Sequence, residues 1–156
     1  KMYVIDKGTG YPEPMAALGK VGYGLLSVNF WSPAFPGTSK FGGYNAAALV
    51  GSFEKATGKL YVPPLGWNDA SYDILFDAIQ RAGTKDRDAV RKALASTDLD
   101  TVTGRVRFNT QHYSVAPLGG AQWRYDDAKK HLIKENVYNA VYPDVKKTAE
   151  MQLYKP

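Results

Sequence analysis

Apolar positions along the chain group into short strands and amphipathic helices. Residues 2–5 form a brief apolar run, and residues 21–28 a longer apolar and aromatic one in which Gly22 and Gly24 straddle Tyr23. Both read as strands, separated by an irregular stretch marked by Gly8, Gly10, Pro12 and Pro14. Two glycines around one aromatic signal a bend or a close backbone approach. Next comes Phe30-Trp31-Ser32-Pro33-Ala34-Phe35-Pro36-Gly37, whose prolines exclude a central strand or a helix interior. Large aromatics on such a segment need cover, so it is expected to border a cleft, a second lobe or a partner.

Helical spacing then takes over. A first helix is expected to begin near Ser39 or Gly43 and to stop at Gly58, with Tyr44, Ala47, Ala48, Leu49 and Phe53 as its apolar face. Residues 60–62 suggest a short strand before Pro63-Pro64. Asp69 is expected to N-cap a second helix, where Tyr72, Leu75, Phe76 and Ile79 follow i, i+3, i+4, i+7 spacing and Gly83 ends it. Asp86 caps a third, with Ala89, Val90, Ala93 and Leu94 on one face. Residues 102–108 alternate apolar and polar as one half-buried strand with a basic outer face. Residues 121–125 and 132–138 predict a hairpin around Asp126-Asp127-Ala128-Lys129-Lys130, and the tail from Asp144 a short helix.

Successive apolar-faced helices normally pack on a parallel sheet, yet only residues 60–62 offer a strand between these. The rest of that sheet must come from another part of the same protein or from a partner chain. The helices are therefore expected to leave apolar surface bare, and the isolated chain to associate with itself or with the missing part.

Composition narrows the class. At 156 residues, 44% hydrophobic and 22% charged, the chain matches one ordinary globular unit rather than a disordered segment. No apolar run approaches the roughly 20 residues that span a bilayer, and no charged-then-apolar leader opens the sequence, so a signal peptide is absent or already removed. Cysteine is absent, which excludes disulfides and thiolate metal sites. The net charge of +5 and a pI near 9.3 raise the question of nucleic acid. The basic residues are scattered among acids, as in Arg87 and Arg91 among Asp86 and Asp88, and so describe a solvated surface rather than a phosphate-binding stripe. Eleven tyrosines supply rings with one polar handle each, suited to a ligand or partner.

Several phrases, in order, resemble one family. Gly24-Leu25-Leu26-Ser27-Val28 followed by Trp31-Ser32-Pro33 resembles the strand and crossover near the hinge of type I periplasmic solute-binding proteins of the branched-chain amino-acid receptor kind. Ala70-Ser71-Tyr72-Asp73-Ile74-Leu75 with Ala78-Ile79-Gln80-Arg81-Ala82-Gly83 resembles that family's late helix, and Asp86-Arg87-Asp88-Ala89-Val90-Arg91-Lys92-Ala93-Leu94 the helix after it. Thr101-Val102-Thr103-Gly104-Arg105-Val106-Arg107-Phe108 is similar to its returning strand, and Gln122-Trp123 to its closing hairpin. The resemblance implies an α/β fold of two Rossmann-like lobes joined by three hinge crossings, of which this chain is the C-terminal portion. Residues 1–29 would end one lobe, residues 30–114 would form the helical part of the other, and residues 115–156 would return to the first. The larger N-terminal part of the same protein would carry both parallel sheets. The function implied is capture of a small-molecule ligand between lobes in the periplasm, for delivery to an ABC permease in the inner membrane.

Candidate site residues follow, each beside a plainer role. Trp67 is either a core tryptophan or one wall of the cleft, since the matching family position often carries an aromatic that stacks on ligand. Asn68 and Asp69 direct an amide or a helix N-terminus at a ligand, or Asp69 is simply a cap. Tyr23 stands where amino-acid-binding relatives often carry an acid to pair with the ligand's ammonium. A neutral phenol cannot do so, which favours an aromatic or other carboxylate, or an amide, over a branched-chain amino acid. The plain alternative is a Tyr packed in its strand. Phe30 and Trp31 either face the cleft mouth or pack the lobe interface.

Catalysis has little support. His112 and His131 lack metal-ligand spacing, no serine occupies a nucleophile elbow, and no glycine-rich phosphate loop follows a strand. No metal or cofactor is expected. A transport receptor is the leading reading. A ligand-sensing regulator on the same scaffold, for an amide or amino acid, is the alternative, and a basic nucleic-acid-binding domain a weaker third that salt-sensitive DNA binding would support.

Overall fold

The computed structural model describes residues 2–5 and 8–153. Residues 1, 6, 7 and 154–156, at or near the ends of the outer predicted segments, lie outside the described residues. Helix α1, Pro12–Leu18, occupies the stretch that glycine and proline had marked as irregular. Proline in the first turn costs no hydrogen bond and presets φ for a helix, and the fully buried Met15 anchors the turn to the fold. A 3₁₀ turn, Gly19–Gly22, then replaces the first half of the strand expected over 21–28, and β1 is only Leu26–Asn29. Gly22 is packed too closely for a side chain, since a Cβ there would lie 2.7 Å from Leu132 Cδ1 and 2.8 Å from Met15 Cε, and Gly24 turns the chain at φ 86°.

Helix α2, Ala46–Thr57, is capped by the Asn45 side chain, which accepts from the Ala48 amide at 2.9 Å, and it ends on Gly58 at φ 68°. Its buried residues are Ala46 and Val50, while Ala47 and Ala48 face solvent. The expected face is thus rotated, because the helix packs under the 31–35 crossover. Residues 60–62 are extended but pair with nothing as a strand. Helix α3, Pro64–Ala82, begins at the Pro-Pro pair instead of after Asp69 and stops at Gly83, φ 63°. Helix α4, Arg87–Ala95, is capped by Asp86, which accepts from the Ala89 amide at 2.9 Å.

The strand expected over 102–108 is half of a tight hairpin. β2, Asp98–Thr101, pairs antiparallel with β3, Gly104–Arg107, and Val102 sits buried in the turn. Arg105 pairs with Asp98 at 2.8 Å and Asp100 at 3.3 Å, so the acids of β2 balance the basic outer face. The second hairpin forms as expected. β4, Gly119–Asp126, and β5, His131–Tyr138, join through a turn in which Asp126 accepts from the Ala128 and Lys129 amides. β1 adds to β4, giving the antiparallel order β1-β4-β5, and Val4 makes a parallel bridge to Leu26. Residues 144–153 form no helix: the amide of Thr148 donates to the Asn136 carbonyl at 2.8 Å, and Val145 is buried.

Two apolar clusters hold these pieces. Trp31, Phe35, Ala46, Val50, Val102 and Val145 form the first, with Tyr61, Trp67 and Tyr142 packed on it. Met15, Trp123 and Leu132 form the second, flanked by Leu25 and Tyr125. The aromatics of the crossover are therefore covered by the fold itself. The stripe Tyr72, Leu75, Phe76 on α3 is not: these residues are 62%, 40% and 49% exposed, with Phe41 edge-on to Phe76. The inner face of α3 is acidic instead. Asp73, 3% exposed, accepts from Ser39 Oγ and from the amides of Lys40 and Phe41, and Asp77 is paired with Lys40 and Arg81. Among the described residues the sheets are antiparallel, and no helix is long and apolar enough to cross a membrane.

Candidate ligand-binding site

A cavity of about 500 Å³ opens between the β4–β5 hairpin on one side and the crossover, α2 and the segment before α3 on the other. That volume falls in the usual range of roughly 300–1,000 Å³ for small-molecule sites. Ser32, Pro33 and Ala34 come from the crossover, Val50 and Glu54 from α2, and Leu60, Tyr61 and Pro63 from the extended segment. The hairpin contributes Trp123, Leu132, Lys134 and Glu135, and Gly10 and Pro12 close one end.

Strand pairing sets the polar chemistry. Trp123 stands directly across from Lys134 in the β4–β5 register, and cross-strand partners share a face, so the buried ring draws the lysine inward. The Trp123 Nε1–H donates to the Thr9 carbonyl at 2.6 Å. Lys134 Nζ donates to the Gly10 carbonyl at 3.3 Å and lies 5.9 Å from the Trp123 ring centre. Burial holds the Lys134 ammonium down to about 8. Opposite, Glu54 of α2 accepts from the Tyr61 amide at 3.1 Å, while Glu135, next to Lys134 on β5, accepts from the Thr148 hydroxyl. The Tyr61 hydroxyl is pushed above its ordinary range, by burial first and then by the charges of Glu54 and Glu135. The arrangement can hold a small, largely apolar molecule with one anionic end. Among the described residues no group of His, Cys, Asp and Glu could hold a metal ion.

The six residues singled out from the sequence lie elsewhere, and Phe30 is half-buried off the cavity wall. Trp31 is fully buried, its Nε1–H donating to the Val102 carbonyl at 3.0 Å and its ring against Gly66. Trp67 is half-buried on the same cluster and walls a second cavity of about 200 Å³ with Thr103, Val106, Phe108 and Pro117. Asn68 is exposed. Asp69 is no N-cap, since α3 starts five residues earlier; it accepts from the Tyr44 hydroxyl at 2.5 Å, and its other oxygen is buried without a partner. Burial raises the Asp69 carboxyl, the Tyr44 bond lowers it, and the charge of Asp73 raises it again. Tyr23 donates to Gln152 Oε1 at 2.5 Å, and Gln152 is in turn held by Gln122, so this phenol ties the tail to the sheet. The fold brings Trp31 and Trp67 together in one cluster but gathers none of the six at the cavity of about 500 Å³. Tyr61, Lys134 and Glu54, which line the cavity, were not among the residues singled out. The one sequence signal for Lys134 is its place opposite Trp123 once the hairpin register is counted out from the turn.

No protein-family model matches the sequence, and no curated protein matches it. Solved structures do match. A leucine-binding protein, LivK, from Thermotoga maritima superposes with a TM-score of 0.67 at 19% identity, over 88% of this chain and 37% of its own. LivJ from Streptococcus pneumoniae, in complex with isoleucine, gives 0.68 at 17%, over 88% and 37%. A solute-binding protein of an ABC transporter from Rhodopseudomonas palustris, in complex with 3,4-dihydroxybenzoic acid, gives 0.60 at 17%, over 86% and 35%. The chain thus has an α/β fold, that of part of a two-lobed type I periplasmic binding protein. Its structural neighbours within that class are ABC-transporter solute-binding proteins, and the chain spans little more than a third of their length.

Proposed function

We propose that this chain is the C-terminal part of the periplasmic solute-binding component of an ABC importer. The observation that carries the reading is the match over 88% of the chain to receptors of that kind, together with a cavity between the parts assigned to different lobes. On this division residues 1–29 and 115–156 belong to one lobe and residues 30–114 to the other, and both contribute walls to the cavity. The bare stripe Tyr72, Leu75, Phe76 on α3 is where the N-terminal part of the protein packs. Function is capture without catalysis: ligand stabilises the closed arrangement through contacts made only there, and the closed form presents it to an inner-membrane permease.

The ligand is a small organic acid, aromatic or otherwise, rather than a branched-chain amino acid. Neighbouring structures hold isoleucine, benzoate and 3,4-dihydroxybenzoic acid, so the fold accommodates both classes. The balance is tipped by the lysine inside the cavity, a cation suited to a carboxylate. Thermal-shift screening of the longer protein against amino acids, aromatic acids and amides tests this reading. A rise of several degrees with aromatic carboxylates but not leucine is expected. A rise with leucine alone would overturn the ligand class, and a rise with amides alone would favour the regulatory sensor.

A further inference from the structure

Lys134 occupies an unusual position for a surface-strand lysine. It points inward beside Trp123, its ammonium makes a single long bond to the Gly10 carbonyl, and among the described residues no carboxylate lies within ion-pair distance of it. An ammonium has three donors to satisfy, and leaving them unmet away from water is costly. The carboxylates on the cavity wall do not meet that need. Glu54 is held by the Tyr61 amide and Glu135 by the Thr148 hydroxyl. A cation with no carboxylate within ion-pair distance therefore sits on the wall of a chamber that Glu54, Glu135, Lys129 and His131 also line.

We propose that this cavity is a binding site for a monoanionic aromatic carboxylate whose anionic end pairs with Lys134 and whose ring lies between Trp123 and Tyr61. The assignment rests on the receptor reading above and adds the residue that recognises the charge. A carboxylate reaching Nζ replaces lost hydration with a charge-assisted hydrogen bond, stronger than a neutral one. Glu54 on the opposite wall and Glu135 beside Lys134 on β5 oppose a second negative charge, which restricts the ligand to one carboxylate. The depressed ammonium value fits a desolvated cation awaiting its partner.

Calorimetric titration of the longer protein with benzoate, benzamide and isoleucine tests the assignment, using wild type, Lys134→Gln and Lys134→Arg. Benzoate should bind wild type, weaken roughly tenfold to a hundredfold in Lys134→Gln, and be largely retained in Lys134→Arg. Benzamide should bind wild type and Lys134→Gln alike, and more weakly than benzoate binds wild type. Removing an unpaired, desolvated charge leaves the melting temperature equal or higher, so loss of fold will not mimic loss of binding. Equal benzoate affinity in wild type and Lys134→Gln overturns the role of Lys134 and leaves the receptor reading standing. Binding of isoleucine without benzoate overturns the ligand class alone, and binding of neither overturns both readings.

Discussion

Replacing Asp73 by alanine removes the carboxylate that pins the 39–44 turn to α3. Asp73 is 3% exposed and accepts from Ser39 Oγ at 3.1 Å, from the Lys40 amide at 2.7 Å and from the Phe41 amide at 3.2 Å. Lys40 and Phe41 are themselves exposed, so water reaches their freed amides and each bond is worth the low end, about 1 kcal/mol. Ser39 Oγ keeps the Gly42 amide as a donor at 3.0 Å but loses its own acceptor, a further loss of about 1 kcal/mol. Alanine is the better helix former and returns about 0.5 kcal/mol. The net cost is about 2.5 kcal/mol, and for a chain of this length that lowers the melting temperature by roughly 5–10 °C. Asp73→Asn keeps one carbonyl acceptor and should lose roughly half as much. The Asp69 carboxyl, raised in part by the charge of Asp73, should fall in either variant, which NMR titration would read. Thermal and urea melts of the three proteins check the arithmetic. If Asp73→Ala melts within about 2 °C of wild type, the carboxylate is not what holds the turn.

Gly37→Ala and Gly51→Ala should move stability in opposite directions. A Cβ at Gly37 would lie 2.2 Å from the Thr101 carbonyl oxygen and 2.7 Å from the Gly104 nitrogen, backbone atoms that cannot turn aside, so a loss of about 3 kcal/mol is expected in urea melts. At Gly51, in mid-α2, nothing lies within 4 Å and alanine should gain about 0.5–1 kcal/mol. Lys134 holds its proton less tightly folded, at about 8, than unfolded, so its contribution to stability rises as pH climbs through that value toward the ordinary lysine range. Wild type should therefore gain on Lys134→Met between those limits in pH-dependent melts, and parallel curves would contradict the desolvation. Leu75→Lys with Phe76→Glu, both on the bare face of α3, should reduce self-association in sedimentation velocity without lowering the melting temperature.

Local stops were legible in the sequence because their chemistry is local. Gly58 and Gly83 end helices in the left-handed region, and Asp86 caps α4, each through atoms a few residues away. The start of α3 was not, because two local signals competed: Pro63-Pro64 served as helix initiators, and Asp69 carried the composition of a cap while bonding sideways to Tyr44. The apolar stripe of α3 was read as apolar from its spacing, but Tyr72, Leu75 and Phe76 lie open to water in this structure. Position, not identity, hid the candidate site. Nothing in Lys134 marks it as inward-facing until the hairpin turn fixes its register against Trp123, and Tyr61 and Glu54 reach the same cavity only through the packing of the first apolar cluster.

The indole of Trp31 bears on how the chain reaches this arrangement. It meets Gly66 at the start of α3 and the Val102 carbonyl in the β2–β3 turn, and shares its cluster with Val145 of the tail. Burying the largest side chain of that cluster thus waits on segments 35, 71 and 114 residues away along the chain, as counted from these positions. Loop closure over such spans must precede its reward, so ordering of the crossover, the helices and the tail should be slow and occur together, with no stable intermediate in which the crossover is folded and the tail is free.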